Sequence, residues 1–277
     1  WMDLSTGVNP FSYPLPPISV NAWTRLPAPE IIRRLERAAA HHYGAPQKNA
    51  IAAPGSQALI QLLPLVLKNA MDIRIHGFTY TGHAISWAAS GKTVKTANTL
   101  EELRGADVAI VVNPNNPDGR LLSPPQLREL AYHLANKGGT LIVDEAFMDF
   151  FDPSCSIIPY MPQQGIVALR SFGKAYGLAG LRLGFAICSE DLEAPLRALV
   201  GAWAVSGAAI EIGEAALRDS NWLASMRMRL RENADRLDKL LTTHSLDVQG
   251  GTILFRLAEH REASKLFMHL ASYGILV

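Results

Sequence analysis

The sequence has almost no cysteine, no surplus of charge of either sign and no long apolar run. Two cysteines in 277 residues, Cys155 and Cys188, make no disulfide framework. A chain of this length buries enough surface to need neither a disulfide nor a metal staple, so none is expected, and two thiols fit a reducing, cytoplasmic compartment. Lys and Arg number 26 against 25 for Asp and Glu, a net +1 that supplies no field to recruit nucleic acid or an anionic membrane. The longest apolar stretch, residues 58–67, is broken by Gln61 and Pro64 and is too short to span a bilayer. With 48% hydrophobic and 18% charged residues, disorder is excluded too. The chain shows no basic and apolar leader after Trp1, and it stops at Gly274-Ile275-Leu276-Val277 without a turn or charged tail, so it reads as a clipped piece of a longer protein.

What is present is an alternation. Prolines 10, 14, 16, 17, 27 and 29 crowd the first 29 residues and predict an extended arm, since each fixes φ and removes a donor. Ile31, Ile32, Leu35, Ala38 and Ala39 then recur at helical spacing up to Tyr43-Gly44-Ala45-Pro46. Short apolar runs follow at residues 72–75, 107–112, 140–143, 165–169 and 183–187, with helical patterns between most of them, as at 56–69 and 124–137. This predicts an α/β fold, a mostly parallel sheet flanked by helices. From about Ile210 the texture changes: Met226, Leu230, Leu237 and Leu241 mark an amphipathic helix whose arginines, interleaved with Glu232, Asp235 and Asp238, read as a solvated face. Residues 248–257 and 262–272 look like the start of a second, smaller α+β layer. The division expected is an arm at 1–29 belonging to the small domain and substrate site, a large domain at 30–209, and a truncated small domain at 210–277.

Three polar segments follow apolar runs, where an α/β sheet places its ligands. The first is Asn113-Pro114-Asn115-Asn116-Pro117-Asp118-Gly119, a rigid turn that holds asparagine amides at the sheet edge; taken alone, it is ordinary turn chemistry. The second is Asp144-Glu145-Ala146-Phe147. A carboxylate at the end of a buried strand needs a cation or donors, and Asp144 by itself also reads as a cap or a structural ion pair. The third runs from Ser171 to Gly184 and sets Lys174 among small and apolar residues eight positions before Arg182. Such a lysine can have its pKa lowered enough to act as an amine nucleophile, although a lone lysine among glycines is usually surface. The glycines spell neither a dinucleotide fingerprint nor a phosphate-binding Walker loop. Lysine, carboxylate, amide and an anion cradle are together what a cofactor with an aldehyde, a protonated ring nitrogen, a phenolic oxygen and a phosphate requires.

On these motifs the chain resembles the fold-type I pyridoxal-phosphate enzymes of the aminotransferase class I/II superfamily, in the histidinol-phosphate aminotransferase branch, and the resemblance covers nearly all of it. Within that branch Asp3-Leu4-Ser5-Thr6-Gly7-Val8-Asn9-Pro10, the aspartate of the 113–120 segment and Asp144-Glu145-Ala146-Phe147-Met148-Asp149-Phe150 are most similar to the threonine-phosphate decarboxylases of cobalamin biosynthesis. The resemblance implies pyridoxal 5′-phosphate held covalently by Lys174, with Asp144 on the ring nitrogen and Asn116 on the phenolic oxygen. It places the phosphate on Gly55-Ser56-Gln57 with Ser171 and Arg182, stacks Tyr80 on the ring, and reaches Tyr43 to the phosphate of a neighbouring subunit in a homodimer. For both tyrosines, core packing is the alternative. From the arm, Ser5, Thr6, Gly7 and Asn9 are candidates for substrate, or else form a plain N-terminal turn.

The implied reaction is decarboxylation of L-threonine O-3-phosphate to (R)-1-aminopropan-2-yl phosphate and CO2; a transaminase acting on histidinol phosphate and a non-catalytic or nucleotide-binding α/β protein are the alternatives. Lys174, Asp144 and Asn116 serve decarboxylase and aminotransferase alike, so the orientation of the substrate's Cα bonds decides between them. The family completes its substrate grip with arginine beyond the segment matching Gly274–Val277, so this chain is expected to bind cofactor but turn over poorly. One departure stands out: the aminotransferase branch carries tyrosine where this chain has Phe147, which cannot assist Asn116.

Overall fold

A computed structural model describes residues 1–45 and 50–277. Eleven strands occur among them. The first, β1 (Met2–Asp3), lies in the arm. Seven build the central sheet: β2 (Ala50–Ala53), β3 (Ile73–His76), β4 (Val94–Ala97), β5 (Val108–Val112), β6 (Thr140–Asp144), β7 (Ile166–Arg170) and β8 (Gly184–Cys188). Their spatial order is β2-β8-β7-β6-β5-β3-β4. The pairs among β4, β3, β5, β6 and β7 are parallel, and β8 runs antiparallel to both its neighbours.

Every residue of β5, β6, β7 and β8 is buried. Their near-continuous Val, Ile, Leu and Ala runs are what a sheet covered on both faces demands. Alternate residues enter opposite layers. Val108 and Ile110 join Leu59, Ile60 and Leu63 of helix Ser56–Val66. Ala109 and Val111 pack with Leu35 and Ala39 of helix Pro29–His42 and Leu127, Leu130 and Leu134 of helix Pro124–Ala135. Each such leucine, fully covered, contributes about 1.5–3 kcal/mol of transfer free energy.

After the sheet, helix Ser220–Thr243 leads to the antiparallel hairpin of β9 (Asp247–Thr252) and β10 (Phe255–Glu259), then to helix Ala263–Ser272 and β11 (Ile275–Leu276). β11 pairs with β1, Met2 opposite Ile275, so the two ends of the chain meet.

The predicted α/β sheet is present, each anticipated strand displaced by no more than a residue or two. Two strands escape the apolar-run reading. β2 is mostly alanine, and β4 is a partly exposed edge strand. The arm differs from a bare extended segment: between Pro17 and Pro27 the chain forms helix Val20–Thr24, with Ser19 Oγ accepting from Ala22 N at 3.2 Å. Asn9 and Tyr13 are buried. In helix Ser220–Thr243 the arginine face is partly recruited: Arg229 lies over the Phe11 ring at 3.4 Å and Arg227 donates to Phe151 O at 2.6 Å. Pro46, expected to end the first long helix, lies outside the described residues.

Candidate active site

The carboxyl ends of β5, β6 and β7 and the start of helix Ser56–Val66 open on a cavity of about 300 Å³. At one wall β2 delivers Gly55, which takes φ +87°, and a Cβ there would come within 2.6 Å of Arg182 Nη2. A residue with a side chain would displace the guanidinium, so glycine is the residue that fits. Gly184 opens β8 directly against Ser56 N, and a Cβ at that position would overlap it. Gly55, Ser56, Gln57, Ser171 and Arg182 line this end of the cavity. Helix N-terminal N–H groups without intrahelical partners, beside a guanidinium, make an anion cradle.

Asp144 closes β6 and is buried. Its Oδ1 accepts from Ala146 N at 3.1 Å, and its Oδ2 lies 2.9 Å from Nε2 of His83, itself buried. Lys174 projects from the one-turn helix Phe172–Ala175 after β7. Burial holds its amine below the usual lysine range; Arg182 adds to the effect and Asp144 opposes it. A larger neutral fraction makes the amine a better nucleophile. Lys174 Nζ stands 4.6 Å from the centre of the Phe147 ring.

Asn116 lines the cavity because its neighbours fix the loop. Asn113 donates to Leu122 O at 3.1 Å and accepts from Leu122 N at 2.7 Å. Asn115 donates to Phe78 O at 3.0 Å and to Asp118 Oδ1 at 2.7 Å. Tyr80 also faces the cavity; its hydroxyl donates to Gln57 Oε1 at 2.9 Å, and its ring lies on Gly82, where a Cβ would overlap it.

Of the four arm candidates, Thr6 lines the cavity, beside Val8. The other three are not brought to it. Ser5 Oγ donates to Asp3 Oδ1 at 2.7 Å in a local turn. Gly7 packs on Phe147 and Phe255. Asn9 spends its amide on backbone, donating to Ala175 O at 2.9 Å and accepting from Phe11 N at 2.9 Å, which ties the arm to the lysine segment. Tyr43, expected to reach a neighbouring subunit, is 4% exposed, with the Arg170 guanidinium 4.3 Å from its ring centre and a hydroxyl without a hydrogen-bond partner. It belongs to the core beneath the sheet end, because Arg170 and Phe185 draw the ring inward.

Two features escaped the sequence reading. His83 stands 61 residues from its partner Asp144, a separation that no local spacing signals. Behind the cavity, Arg170 Nη1 donates to Glu145 Oε2 at 3.0 Å and its Nη2 lies 3.4 Å from Asp149 Oδ1, all three groups buried. The donor set as a whole matches one group: a carboxylate for a protonated ring nitrogen, an amine for an aldehyde, an amide for a phenolic oxygen, and a cradle closed by Gly55 and Arg182 for a phosphate. Pyridoxal phosphate fits these residues.

Comparison with known proteins agrees. Residues 15–277 match the family described as aminotransferase class I and II. A threonine-phosphate decarboxylase of Pseudomonas aeruginosa is 40% identical over all of this chain and 82% of its own length. A histidinol-phosphate aminotransferase from Clostridium acetobutylicum superposes with a TM-score of 0.85 at 21% identity, covering 100% of this chain and 88% of that one. Another from Sinorhizobium meliloti, solved in complex with pyridoxal-5′-phosphate, gives 0.78 at 20% identity, over 93% and 75%.

Proposed function

The chain belongs to the aminotransferase class I and II family, and from that premise we propose that it is a pyridoxal-phosphate-dependent carboxy-lyase converting L-threonine O-3-phosphate into (R)-1-aminopropan-2-yl phosphate and CO2. The observation that carries the choice of reaction is the 40% identity across the whole chain to a threonine-phosphate decarboxylase. Cobalamin biosynthesis is the proposed setting, and a homodimer the proposed assembly. The arm and residues 210–277 are taken as the smaller part, closing on a large domain at 30–209. Among the described residues no helix is long and apolar enough to cross a membrane.

When bound, pyridoxal phosphate supplies an electron sink for the bond broken at the substrate's Cα. Lys174 would hold it through its partly buried amine. Asp144, fixed from both oxygens by His83 and Ala146 N, would keep a proton on the ring nitrogen. Asn116 would donate to the phenolic oxygen, and Phe147 adds no second donor there. Gly55, Ser56, Gln57, Ser171 and Arg182 would take the phosphate, with Tyr80 against the ring. Thr6, which lines the cavity, would meet the substrate from the arm.

The test is product identity. With pyridoxal phosphate and threonine phosphate, CO2 and aminopropanol phosphate are expected. Transfer of the amino group from histidinol phosphate to 2-oxoglutarate, with no CO2 from threonine phosphate, overturns the assignment. Replacing Lys174 by Ala should abolish both turnover and the visible absorbance of the lysine-bound cofactor; a Lys174→Ala protein that keeps that band refutes the role of this lysine.

A further inference from the structure

Three distant segments converge beside the reacting amine, and none can give or take a hydrogen bond through a side chain. Phe147 lines the cavity and presents its ring to Lys174 Nζ at 4.6 Å. Phe255, at the start of β10, does not line the cavity; it meets Phe147 in a T-shaped contact, centroids 4.8 Å apart at 71°. Gly7 of the arm fits against both, since a Cβ would come within 2.8 Å of Phe147 Cε1 and 3.0 Å of Phe255 Cδ1.

A phenyl ring held on one side only can turn about its χ2 axis and admit water. An edge-to-face partner removes that freedom. We propose that Phe255 is a positioning residue for Lys174: it locks the Phe147 ring over the amine and keeps water from it, with Gly7 as the position that lets the arm close on both rings. The inference rests on reading Lys174 as the cofactor lysine. It explains why an apolar residue stands at position 147 and why a glycine stands at position 7, though neither contributes a polar group. Burial is the main cause of the lowered Lys174 pKa, and on this inference the two rings supply part of it. An aromatic face also attracts a cation, but for phenylalanine that attraction is small beside the cost of drying an ammonium group, so water entry should raise the pKa.

The experiment follows capture rather than turnover. Apoprotein is mixed with pyridoxal phosphate across a pH series, fixed with borohydride, and the pyridoxyl-Lys174 peptide is quantified by mass spectrometry. Phe255→Leu should move the midpoint of capture to higher pH and slow capture at neutral pH by roughly tenfold, the factor by which the neutral amine falls when its pKa rises by about one. Phe255→Tyr, which keeps the ring edge, should retain unaltered behaviour. Gly7→Ala, which wedges the two rings apart, should behave like Phe255→Leu even if the latter folds poorly. Unaltered midpoint and rate in both Phe255→Leu and Gly7→Ala overturn the inference while leaving the function standing. Failure of the unsubstituted chain to form any Lys174 adduct overturns the function reading and the inference with it.

Discussion

At the scale of single residues, Asp144 is a carboxylate held and aimed at the cavity although it is buried. A buried carboxylate is costly unless every lone pair finds a donor. Here Ala146 N and His83 share the task. His83→Phe keeps an aromatic of similar size and leaves Oδ2 without its partner, so we expect a loss of about 1–3 kcal/mol in stability and a lower affinity for pyridoxal phosphate. Calorimetry should register it as a drop in Tm of about 2–4 °C per kcal/mol. An unchanged Tm and an unchanged affinity would show that water replaces the imidazole at no cost. That Asp144, Asn116 and Lys174 meet at one cavity was legible in the sequence because their segments end or follow apolar runs, where sheet topology predicts a ligand; Arg182 was given its role only by the family resemblance. His83 was not legible, since it occupies an ordinary helical position whose partner is brought near only by folding. Tyr43, which the resemblance carried to a neighbouring subunit with core packing as the alternative, is held in the core by the Arg170 cation against its ring, and burial pushes its hydroxyl pKa up.

At the scale of elements, β6 and β7 each end in a pair of residues that point to opposite faces. Asp144 and Ser171 face the cavity, while Glu145 and Arg170 pair behind it. Glu145 further accepts from Ser156 Oγ at 2.6 Å and Ile157 N at 2.8 Å. The buried pair thus pins together the two strand ends that line the cavity. Arg170→Met removes the cation and leaves two buried carboxylates facing one another, and we expect a loss of about 3–5 kcal/mol. Adding Glu145→Met should recover part of that loss. The pH dependence has a defined sign. Burial already raises the Glu145 pKa, with Arg170, Ser156 and Ile157 acting against it. Without Arg170 the carboxyl rises further. Its contribution is then fully present below the ordinary carboxylate range and lost as pH rises through the raised folded value. Urea midpoints of Arg170→Met should therefore fall from mildly acid to neutral pH more steeply than those of the unsubstituted chain; parallel profiles would contradict this account. The sequence disclosed the strands through their branched apolar runs but not this pairing, because alternation assigns faces only once neighbouring strands and their register are known. It disclosed neither β2, whose alanines carry little strand signal, nor the exposed edge β4.

At the scale of the whole molecule, the loop bearing Asn116 is held from outside the central sheet, by the β9–β10 hairpin. Gly251 N donates to Asp118 O at 3.0 Å, and Asp118 in turn receives the Asn115 amide next to Asn116. The approach is backbone against backbone: a Cβ on Gly119 would overlap the Gly251 carbonyl, and one on Gly250 would overlap the Asp118 carbonyl. The hairpin is itself braced by the ion pair of Arg256 with Asp238 on helix Ser220–Thr243. Contacts between glycines more than a hundred residues apart leave no trace in periodicity or spacing, so this junction could not be anticipated, whereas the turn it supports could. Gly250→Ala isolates it, because φ at Gly250 lies outside the left-handed region and the substitution offends only by the clash with Asp118. We expect the hairpin to lift, the Gly251 amide to exchange hydrogen about fivefold faster as one hydrogen bond of about 1 kcal/mol is lost, and pyridoxal-phosphate affinity to fall as Asn116 loosens. Gly91→Ala is the matched control. Gly91 has φ +79° with nothing within 4 Å of a Cβ, so alanine there is strained by about 1–2 kcal/mol yet touches no part of the junction. It should lower Tm while leaving cofactor affinity and Gly251 exchange as they are. If the two variants lose affinity alike, general destabilisation explains the loss; if only Gly250→Ala does, the hairpin works as a brace for the cofactor loop.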